Sequence, residues 1–350
     1  MSTATALDEP ALLLAARQGD EGAYRSLVQH HQGELHAHCY RMLASVHDAD
    51  DAVQDVMVSA WKGLANFEAR SSVRTWLFKI ATNAALDISR RRQRREIPLG
   101  YGQRDMSSDG PGEPAPGIQW VEPYPDSPEL HYEARETLEL AYVALLQELP
   151  AHQRAVFILR EALNLPAAEV AVVLDTSVAA VNSSLQRARS KIAQRVPSVS
   201  QQFELSVLGD GGTRALAERY ARAIEDGDVE SLLALLVEDP TWSMPPHPGW
   251  FAGRSAIAAF LREDVMINQW RHIPACVSGQ LAVAGYVFDP ATEYYLACAL
   301  DVLALEHGRI RAVLSFLTAI GFPPEDNNEP SGAGVINFVR FGLPERLPAS

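Results

Sequence analysis

A dense group of basic side chains in the first third of the chain has the spacing to bind phosphate groups. Between residues 70 and 95, eight basic residues accompany a single acid, Asp87. Cations at this density neutralise a nucleic-acid backbone, although the whole chain carries a net charge of −14. This distribution predicts weak nucleic-acid binding by the chain alone and tighter binding when a partner adds contacts. The basic residues are Arg70, Arg74, Lys79, Arg90, Arg91, Arg92, Arg94 and Arg95.

Short polar and basic side chains also share one face of a predicted helix near residue 180. The segment 166–192 has the pattern of a helix-turn-helix, in which Pro166 opens a short helix and Ser177 caps a second one. The apolar side of the second helix is predicted to contain Val178, Val181, Leu185, Ala188 and Ile192. The opposite side suits base edges and phosphates. It carries Asn182, Ser183, Gln186, Arg187, Arg189 and Ser190.

Helices are predicted around the basic group at residues 70–95. Apolar residues three and four positions apart predict four helices over residues 9–96. One helix begins near Asp48 and places Asp48, Asp51 and Asp55 on one face, with Gln54 beside them. From the residues alone, this stripe is a solvated face whose acids favour the helix N-terminus.

The last of the four helices starts after Ser71 and Ser72, which are good N-cap residues. Trp76 falls on its apolar stripe, so we expect this ring to pack in the core rather than to insert into DNA. The stripe consists of Val73, Trp76, Leu77, Ile80, Ala84 and Ile88.

Composition divides the remaining chain into segments. Residues 97–130 are rich in proline, glycine and acids, which predicts a flexible acidic linker. Helices return over 131–196, and an α+β domain is predicted over 209–322 with a hairpin turn at Glu306–Gly308. A proline- and glycine-rich tail follows over 323–350.

Several classes of protein are disfavoured by the sequence. No apolar run approaches 18 residues and no signal pattern opens the chain, so a cytoplasmic protein without a membrane segment is expected. The three cysteines lie far apart, which argues against a disulfide framework. The histidines at 30, 31, 36 and 38 lack a metal-binding spacing, so no metal site is predicted.

Two long strings resemble region 2 and region 4 of the extracytoplasmic-function sigma factors. The strings that resemble region 2 are DADDAVQDVMVSAW (48–61) and FEARSSVRTWLFKIATNAALD (67–87). The string that resembles region 4 is LPAAEVAVVLDTSVAAVNSSLQRAR (165–189). Later, TWSMPPHPGW (241–250) and GRSAIAAFL (253–261) resemble the SnoaL-like (NTF2-like) domain of the sigma-G and sigma-J groups. The resemblance implies a multidomain fold with two all-α sigma modules over 9–96 and 131–196, followed by an α+β cone domain.

This resemblance implies two partners, the RNA polymerase core and promoter DNA. The acidic helix then docks on the coiled coil of the largest polymerase subunit, and a second contact involves the flap region. The docking residues are Asp48, Asp51, Gln54 and Asp55.

The resemblance also implies two DNA contacts. In the family, the asparagine that matches Asn83 contacts a flipped base of the −10 element, although a solvent-facing role for Asn83 stays open. The −10 set is Arg74, Asn83, Arg90, Arg91 and Arg92. The second helix of the helix-turn-helix would enter the major groove at the −35 element. Its set is Asn182, Ser183, Gln186, Arg187, Arg189 and Lys191. Relatives often carry a basic residue where this chain has Asn182, so affinity should depend more on Arg187, Arg189 and Lys191.

The cone domain leaves three hypotheses open: turnover of a ligand, small-molecule sensing, or regulation by contact within the chain or with polymerase. The last is favoured, because no acid–base pair is identifiable from spacing and fold analogy does not establish an activity. Accordingly, no catalytic residue and no cofactor are predicted. A stand-alone helix-turn-helix regulator is a further alternative, but it needs neither the acidic helix nor the basic one. Candidate pocket residues are Trp242, Met244, His247, Trp250, Tyr286 and Asp301.

Overall fold

The computed structural model describes residues 9–69, 71–92, 95–96, 109–110, 119–126, 136–194, 199–245, 247, 249–319 and 336–349. The basic residues Arg70 and Arg94 lie outside this part of the chain. The chain divides into two compact units, and each is discontinuous in sequence. The first comprises Met1–Arg94 and Leu146–Arg195, and the second comprises Arg95–Leu145 and Val196–Ser350.

The first unit begins with the predicted helical module. Its helices are α1 (Glu9–Arg17), α2 (Glu21–Leu43), α3 (Val46–Gly63) and α4 (Val73–Arg91). The expected cap of α4 is confirmed, because Ser72 Oγ accepts the backbone N–H of Thr75 at 3.0 Å. Trp76 is partly buried and packs against the core cluster that contains Leu64, with its ring centroid 4.8 Å from that of Phe67.

A second group of helices contains the helix-turn-helix. It comprises α5 (Leu140–Gln147), of which only the last two residues belong to the first unit, then α6 (Ala151–Phe157), and the helix-turn-helix itself, α7 (Ala167–Val173) and α8 (Val178–Ala193). Ser177 caps α8 by accepting the N–H of Ala180 at 3.2 Å. Four of the five predicted core residues of α8 are buried, namely Val181, Leu185, Ala188 and Ile192. Val178 was predicted to be buried as well, but it is exposed because it occupies the first turn, beside the cap.

Side chains of α5, α6 and α7 hold these helices against α2 and α4 within the first unit. Arg154 donates to the carbonyl of Met42, and Gln147 donates to the carbonyl of Arg41 at 3.2 Å, both near the end of α2. Thr75 donates to the carboxylate of Glu169 at 2.7 Å. The two modules that resemble regions 2 and 4 therefore pack together in this structure.

The second unit is built on a curved, mixed sheet with helices against one face. Its helices are α9 (Gln201–Glu225), α10 (Val229–Leu235) and α11 (Gly253–Phe260). The main strands are β4 (Leu236–Ser243), β5 (Trp250–Ala252), β6 (Trp270–Val277), β7 (Gln280–Asp289), β8 (Tyr294–Glu306) and β9 (Arg309–Leu317). They lie in the order β5-β4-β9-β8-β7-β6. Three short strands, β1 (Arg95–Glu96), β2 (Asp109–Gly110) and β3 (Gln119–Trp120), precede them, and β2 pairs with β5 while β1 pairs with β3.

The cone domain begins earlier than the sequence predicts. Helix α9 begins at Gln201, ahead of the predicted start of the domain at residue 209, and Gly209 (φ 66°, ψ 169°) forms a kink inside it. Glycine accommodates this positive φ without a Cβ clash, so the helix bends rather than ends there. The turn at Glu306–Gly308 is confirmed, with positive φ at His307 and Gly308.

The segment between the two sigma modules is not a free linker over its whole length. The backbone N–H of Tyr124 donates to Ser278 Oγ, and the N–H of Ser278 donates to the carbonyl of Tyr124, each at 2.8 Å. Trp120 and Val121 are buried in the second unit. The prediction of a flexible 97–130 is therefore wrong at residues 119–126. Local composition cannot reveal this packing, because the partners lie about 150 residues away in sequence.

The C-terminal tail also packs on the cone domain. Strand β10 (Arg346–Pro348) pairs with β8, and Phe338 is buried against the ring of Tyr286 at a centroid distance of 5.3 Å. The tail thus contributes a buried aromatic side chain to the cone domain.

Candidate nucleic-acid interface

The acidic face of α3 is exposed over three of its four predicted residues. Asp51, Gln54 and Asp55 point to solvent, and Asp51 has only a long contact of 3.8 Å with His47. Their spacing of three and four residues places them along one side of the helix. A negative, accessible stripe of this kind suits docking on a basic surface.

Asp48 does not belong to this stripe. Its side chain is 2% exposed, and it pairs with Arg92 at 2.5 Å. Asp48 lies in the first turn of α3, whose backbone N–H groups favour a carboxylate. The predicted set of four docking residues therefore separates into an exposed group of three and one buried residue within an ion pair.

Four of the five residues proposed for the −10 element lie along α4, and the fifth, Arg92, is its C-cap residue and pairs with Asp48. Asn83 is exposed, as are Arg90 and Arg91 at the end of the helix. Arg74 is partly buried and pairs with Glu34 at 2.9 Å, while its guanidinium lies 4.9 Å from the ring centroid of Phe78. Arg74 is thus held against the helical bundle, whereas the polar and basic residues further along α4 are accessible.

The −35 set is exposed in full along α8. Asn182, Ser183, Gln186, Arg187, Arg189 and Lys191 all face solvent. Arg187 donates to Ser183 Oγ at 3.0 Å, and Arg189 pairs with Glu161 at 2.7 Å. Exposed pairs of this kind contribute little stability, so these arginines can exchange their partners for phosphates at small cost.

The interior of the cone domain contains a hydrogen-bond network rather than an open site around Asp301. Tyr220 donates to Asp301 Oδ2 at 2.9 Å, Ser315 donates to Oδ1 at 2.5 Å, and the indole of Trp242 donates to Ser315 at 3.0 Å. Burial raises the pKa of Asp301, and the hydroxyl donors of Ser315 and Tyr220 oppose that shift. Both carboxylate oxygens therefore have internal donors.

Among the other predicted pocket residues, Trp242 joins this network through Ser315, and the remaining four have other surroundings. Trp242 is packed between Tyr220 and Phe260, with ring centroids 6.2 and 5.8 Å away. Tyr286 instead donates to the carbonyl of Pro344 in the C-terminal tail at 3.0 Å. Met244 borders the core, and His247 and Trp250 are partly exposed. The six predicted pocket residues are thus divided between the core of the domain, a contact with the C-terminal tail and the partly exposed surface.

The histidines of α2 are dispersed. His38 is buried and contacts Thr82 Oγ1 at 2.9 Å, and burial lowers its pKa to about 3. His36 pairs with Asp50 at 3.0 Å. Within the described residues, no group of three or more histidine, cysteine or acidic side chains could hold a metal ion.

One buried carboxylate in the second unit titrates near neutral pH. Glu139 is 8% exposed and accepts the N–H of Gln202, in the first turn of α9, at 3.1 Å. Burial raises its pKa to about 7, against the lowering effect of the N–H groups of Gln201 and Gln202. Glu136 adds to the shift. Glu204, Glu306, His307 and Arg311 line the same small cavity.

We expect Glu139→Gln to remove a pH dependence of stability. The pKa of Glu139 is about 7 in the folded protein and about 4.3 in the unfolded chain. The protonated carboxyl group therefore favours the folded state fully below about pH 4.3, and this stabilisation of the fold is lost as the pH rises through about 7. Between pH 5 and 8 the wild-type free energy of unfolding should fall by roughly 3 kcal/mol more than that of the variant. Denaturant unfolding at both pH values measures this difference. Glu238→Gln, at an exposed carboxylate of β4, is the matched control and should behave like wild type.

Among the described residues, no single helix is long and apolar enough to cross a bilayer, and one bent pair, α7 with α8 at 101°, passes by length and composition only.

Comparison with known proteins gives a consistent domain order. The family model for Sigma-70 region 2 matches residues 27–95, and the model for region 4 of Sigma-70 matches residues 139–192. The model for the SnoaL-like domain matches residues 217–313. The chain is 36% identical over 340 residues to the ECF RNA polymerase sigma factor SigG of Mycobacterium tuberculosis strain H37Rv, covering 95% of this chain and 86% of SigG. It is 34% identical over 200 residues to the RNA polymerase sigma factor NccH of Alcaligenes xylosoxydans xylosoxydans, covering 56% of this chain and 98% of NccH.

A solved structure supports the fold. The crystal structure of the Mycobacterium tuberculosis extracytoplasmic function sigma factor SigJ matches with a TM-score of 0.51 and 20% identity, over 82% of this chain and 95% of that one. The chain belongs to the extracytoplasmic-function RNA polymerase sigma factors and carries a SnoaL-like domain after regions 2 and 4. The resemblance and the fold class predicted from the sequence are thereby confirmed.

Proposed function

We propose that this sigma factor binds the RNA polymerase core through the exposed acidic face of α3 and reads promoters with α4 and α8. The observation that carries this proposal is the exposure of complementary surfaces on three helices. Asp51 and Asp55 present negative charge on α3 beside the uncharged Gln54, while α4 ends in arginines and α8 exposes a polar and basic side. Phosphate contacts position such a protein, and base-edge contacts select its site.

The separation of the two DNA-reading modules is part of this proposal. The −10 and −35 elements lie apart on the promoter, whereas the contacts of Arg154 and Thr75 hold the modules together in the free chain. We infer that core polymerase separates them when it binds. The isolated chain should therefore bind promoter DNA weakly, in keeping with its net charge of −14.

Run-off transcription tests this function. Core polymerase is supplied with a genomic fragment library, with and without the full-length chain. We expect discrete transcripts that require the chain and start downstream of a shared pair of sequence elements. A transcript pattern that is the same with and without the chain would contradict the proposal.

We further propose that the cone domain restrains the segment between regions 2 and 4. This segment separates the two sequence stretches of the first unit, which ends at Arg94 and resumes at Leu146, and its residues 119–126 are anchored at Ser278 in the second unit. Besides the Tyr124–Ser278 bonds, Asp126 accepts the N–H of Gly279 at 2.8 Å and the thiol of Cys276 at 3.0 Å. Ser278 and Gly279 form the two-residue turn between β6 and β7, with φ of 54° and 66°.

Asp126→Ala is expected to raise run-off yield while leaving the affinity for core polymerase unchanged. The variant removes two hydrogen bonds that hold the linker but touches none of the exposed surfaces of α3, α4 and α8. Asp289→Ala is the matched control, because Asp289 accepts comparable turn hydrogen bonds from Ala291 and Thr292 in the β7–β8 hairpin. Equal run-off yields from the Asp126 variant, the control and wild type would count against regulation through the linker.

We also propose that the cone domain performs no covalent chemistry. A general acid or base must reach the proton that it transfers. Asp301 is buried and both of its oxygens accept hydrogen bonds from side chains of the core. This arrangement supports a structural role for the carboxyl group.

A further inference from the structure

The recognition helix exposes an apolar side chain that the sequence pattern assigns to the core. Val178 is the first residue of α8 and 43% of its surface is accessible. Its neighbours on the apolar side, Val181 and Leu185, are 0% and 5% exposed. Single exposed valines are common on protein surfaces, so exposure alone carries no function. The exposure of Val178 is informative because this residue lies in line with the exposed polar residues of α8.

Val178 continues the polar readout face of α8 by one turn. Asn182 and Gln186 follow it at intervals of four residues, and all three side chains are exposed. Residues four apart on an α-helix lie on the same face, one above the other. In a helix-turn-helix, the N-terminal residues of the second helix approach the base edges. Val178 therefore stands at the end of the readout face that enters the groove first.

The chemistry of the major groove leaves one natural partner for this side chain. Each base pair presents hydrogen-bond donors and acceptors there, but the C5-methyl group of thymine is the apolar group that a side chain can contact. An isopropyl group beside a polar base edge gains nothing, whereas beside a methyl group it removes apolar surface from water.

We propose that Val178 contacts the C5-methyl group of a thymine in the −35 element and so contributes to promoter specificity. This inference rests on the proposed function of α8 as the −35 reader. It adds an apolar contact to a face whose other members, Asn182, Ser183 and Gln186, offer hydrogen bonds. It also supplies discrimination at a base pair that the polar residues leave unread.

The test compares thymine with uracil, which lacks only the methyl group. A randomised promoter pool is first selected with the full chain bound to core polymerase, and the −35 thymines of the winning promoter are then replaced by uracil one at a time. We expect one replacement to weaken holoenzyme binding about threefold to fivefold, the effect of losing one buried methyl contact. Val178→Ala should bind the thymine promoter equally weakly and show no further loss with uracil at that position.

Two further variants keep the result interpretable. Val172→Ala removes another exposed valine, 53% accessible on α7, and should retain the wild-type thymine preference. Val178→Thr keeps the shape of the side chain and should lose only part of the preference, which separates the contact from any effect on folding. Unchanged thymine-to-uracil ratios in Val178→Ala, or a selected −35 element without thymine, would overturn the inference. Failure of the selection to yield any −35 element would instead contradict the proposed function.

Discussion

The double variant Asp51→Lys/Asp55→Lys is expected to lose at least about tenfold in affinity for the RNA polymerase core, because like charges then face a basic docking surface. The two carboxylates are exposed on one side of α3 and neither supports the fold through a short contact within that helix. The variant should therefore unfold at the same temperature as wild type. Size-exclusion chromatography with purified core measures the change.

The control for this experiment changes the same number of charges elsewhere. Glu263 and Asp264 are exposed in the cone domain, so Glu263→Lys/Asp264→Lys alters net charge equally without touching α3. If both double variants bind core as wild type does, the acidic face of α3 is not the docking surface. If both bind weakly, net charge rather than this face governs association.

Replacing Arg187 and Arg189 by alanine is expected to weaken binding of the holoenzyme to a promoter duplex by roughly tenfold to thirtyfold. Each arginine is assigned to a phosphate, so the slope of log affinity against log salt should become shallower by about 2. The loss should be similar for all promoters, because phosphate contacts do not read sequence. A salt titration of promoter binding measures both effects.

The matched control for the recognition helix is an arginine pair outside it. Arg219 and Arg222 are exposed on α9 of the cone domain, and their replacement by alanine removes the same charge. An unchanged salt slope for the α8 variant, or an equal change for the α9 variant, would show that α8 does not contact DNA phosphates. Glu161, which pairs with Arg189, provides a second check, since Glu161→Gln should leave binding intact or improve it.

Features that depend on neighbouring residues were predicted correctly from the sequence. The caps at Ser72 and Ser177 and the buried face of α8 follow from residue type and from a spacing of three and four, and the structure has them where they were predicted. The resemblance to regions 2 and 4 was likewise carried by continuous strings. Local rules succeed here because each decision depends on residues within about one helical turn.

Errors arose where a distant residue decides the outcome. Asp48 has the spacing of a surface acid, but Arg92, far along the chain, pairs with it and buries it. Residues 119–126 have the composition of a linker, yet Ser278 and Gly279 hold them. Tyr286, one of the predicted pocket residues, likewise has a partner that its local sequence does not indicate, the carbonyl of Pro344 more than 50 residues later. Periodicity and composition contain no information on such pairings.

We propose that this chain acts as a specificity subunit that directs RNA polymerase to promoters. The most direct measurement is the association of the purified full-length chain with core polymerase from which every other sigma factor has been removed. We predict a stoichiometric complex that opens a promoter and starts transcription at one position. If the chain and the core elute separately, and no start site appears when they are mixed, the account given for α3, α4 and α8 is wrong.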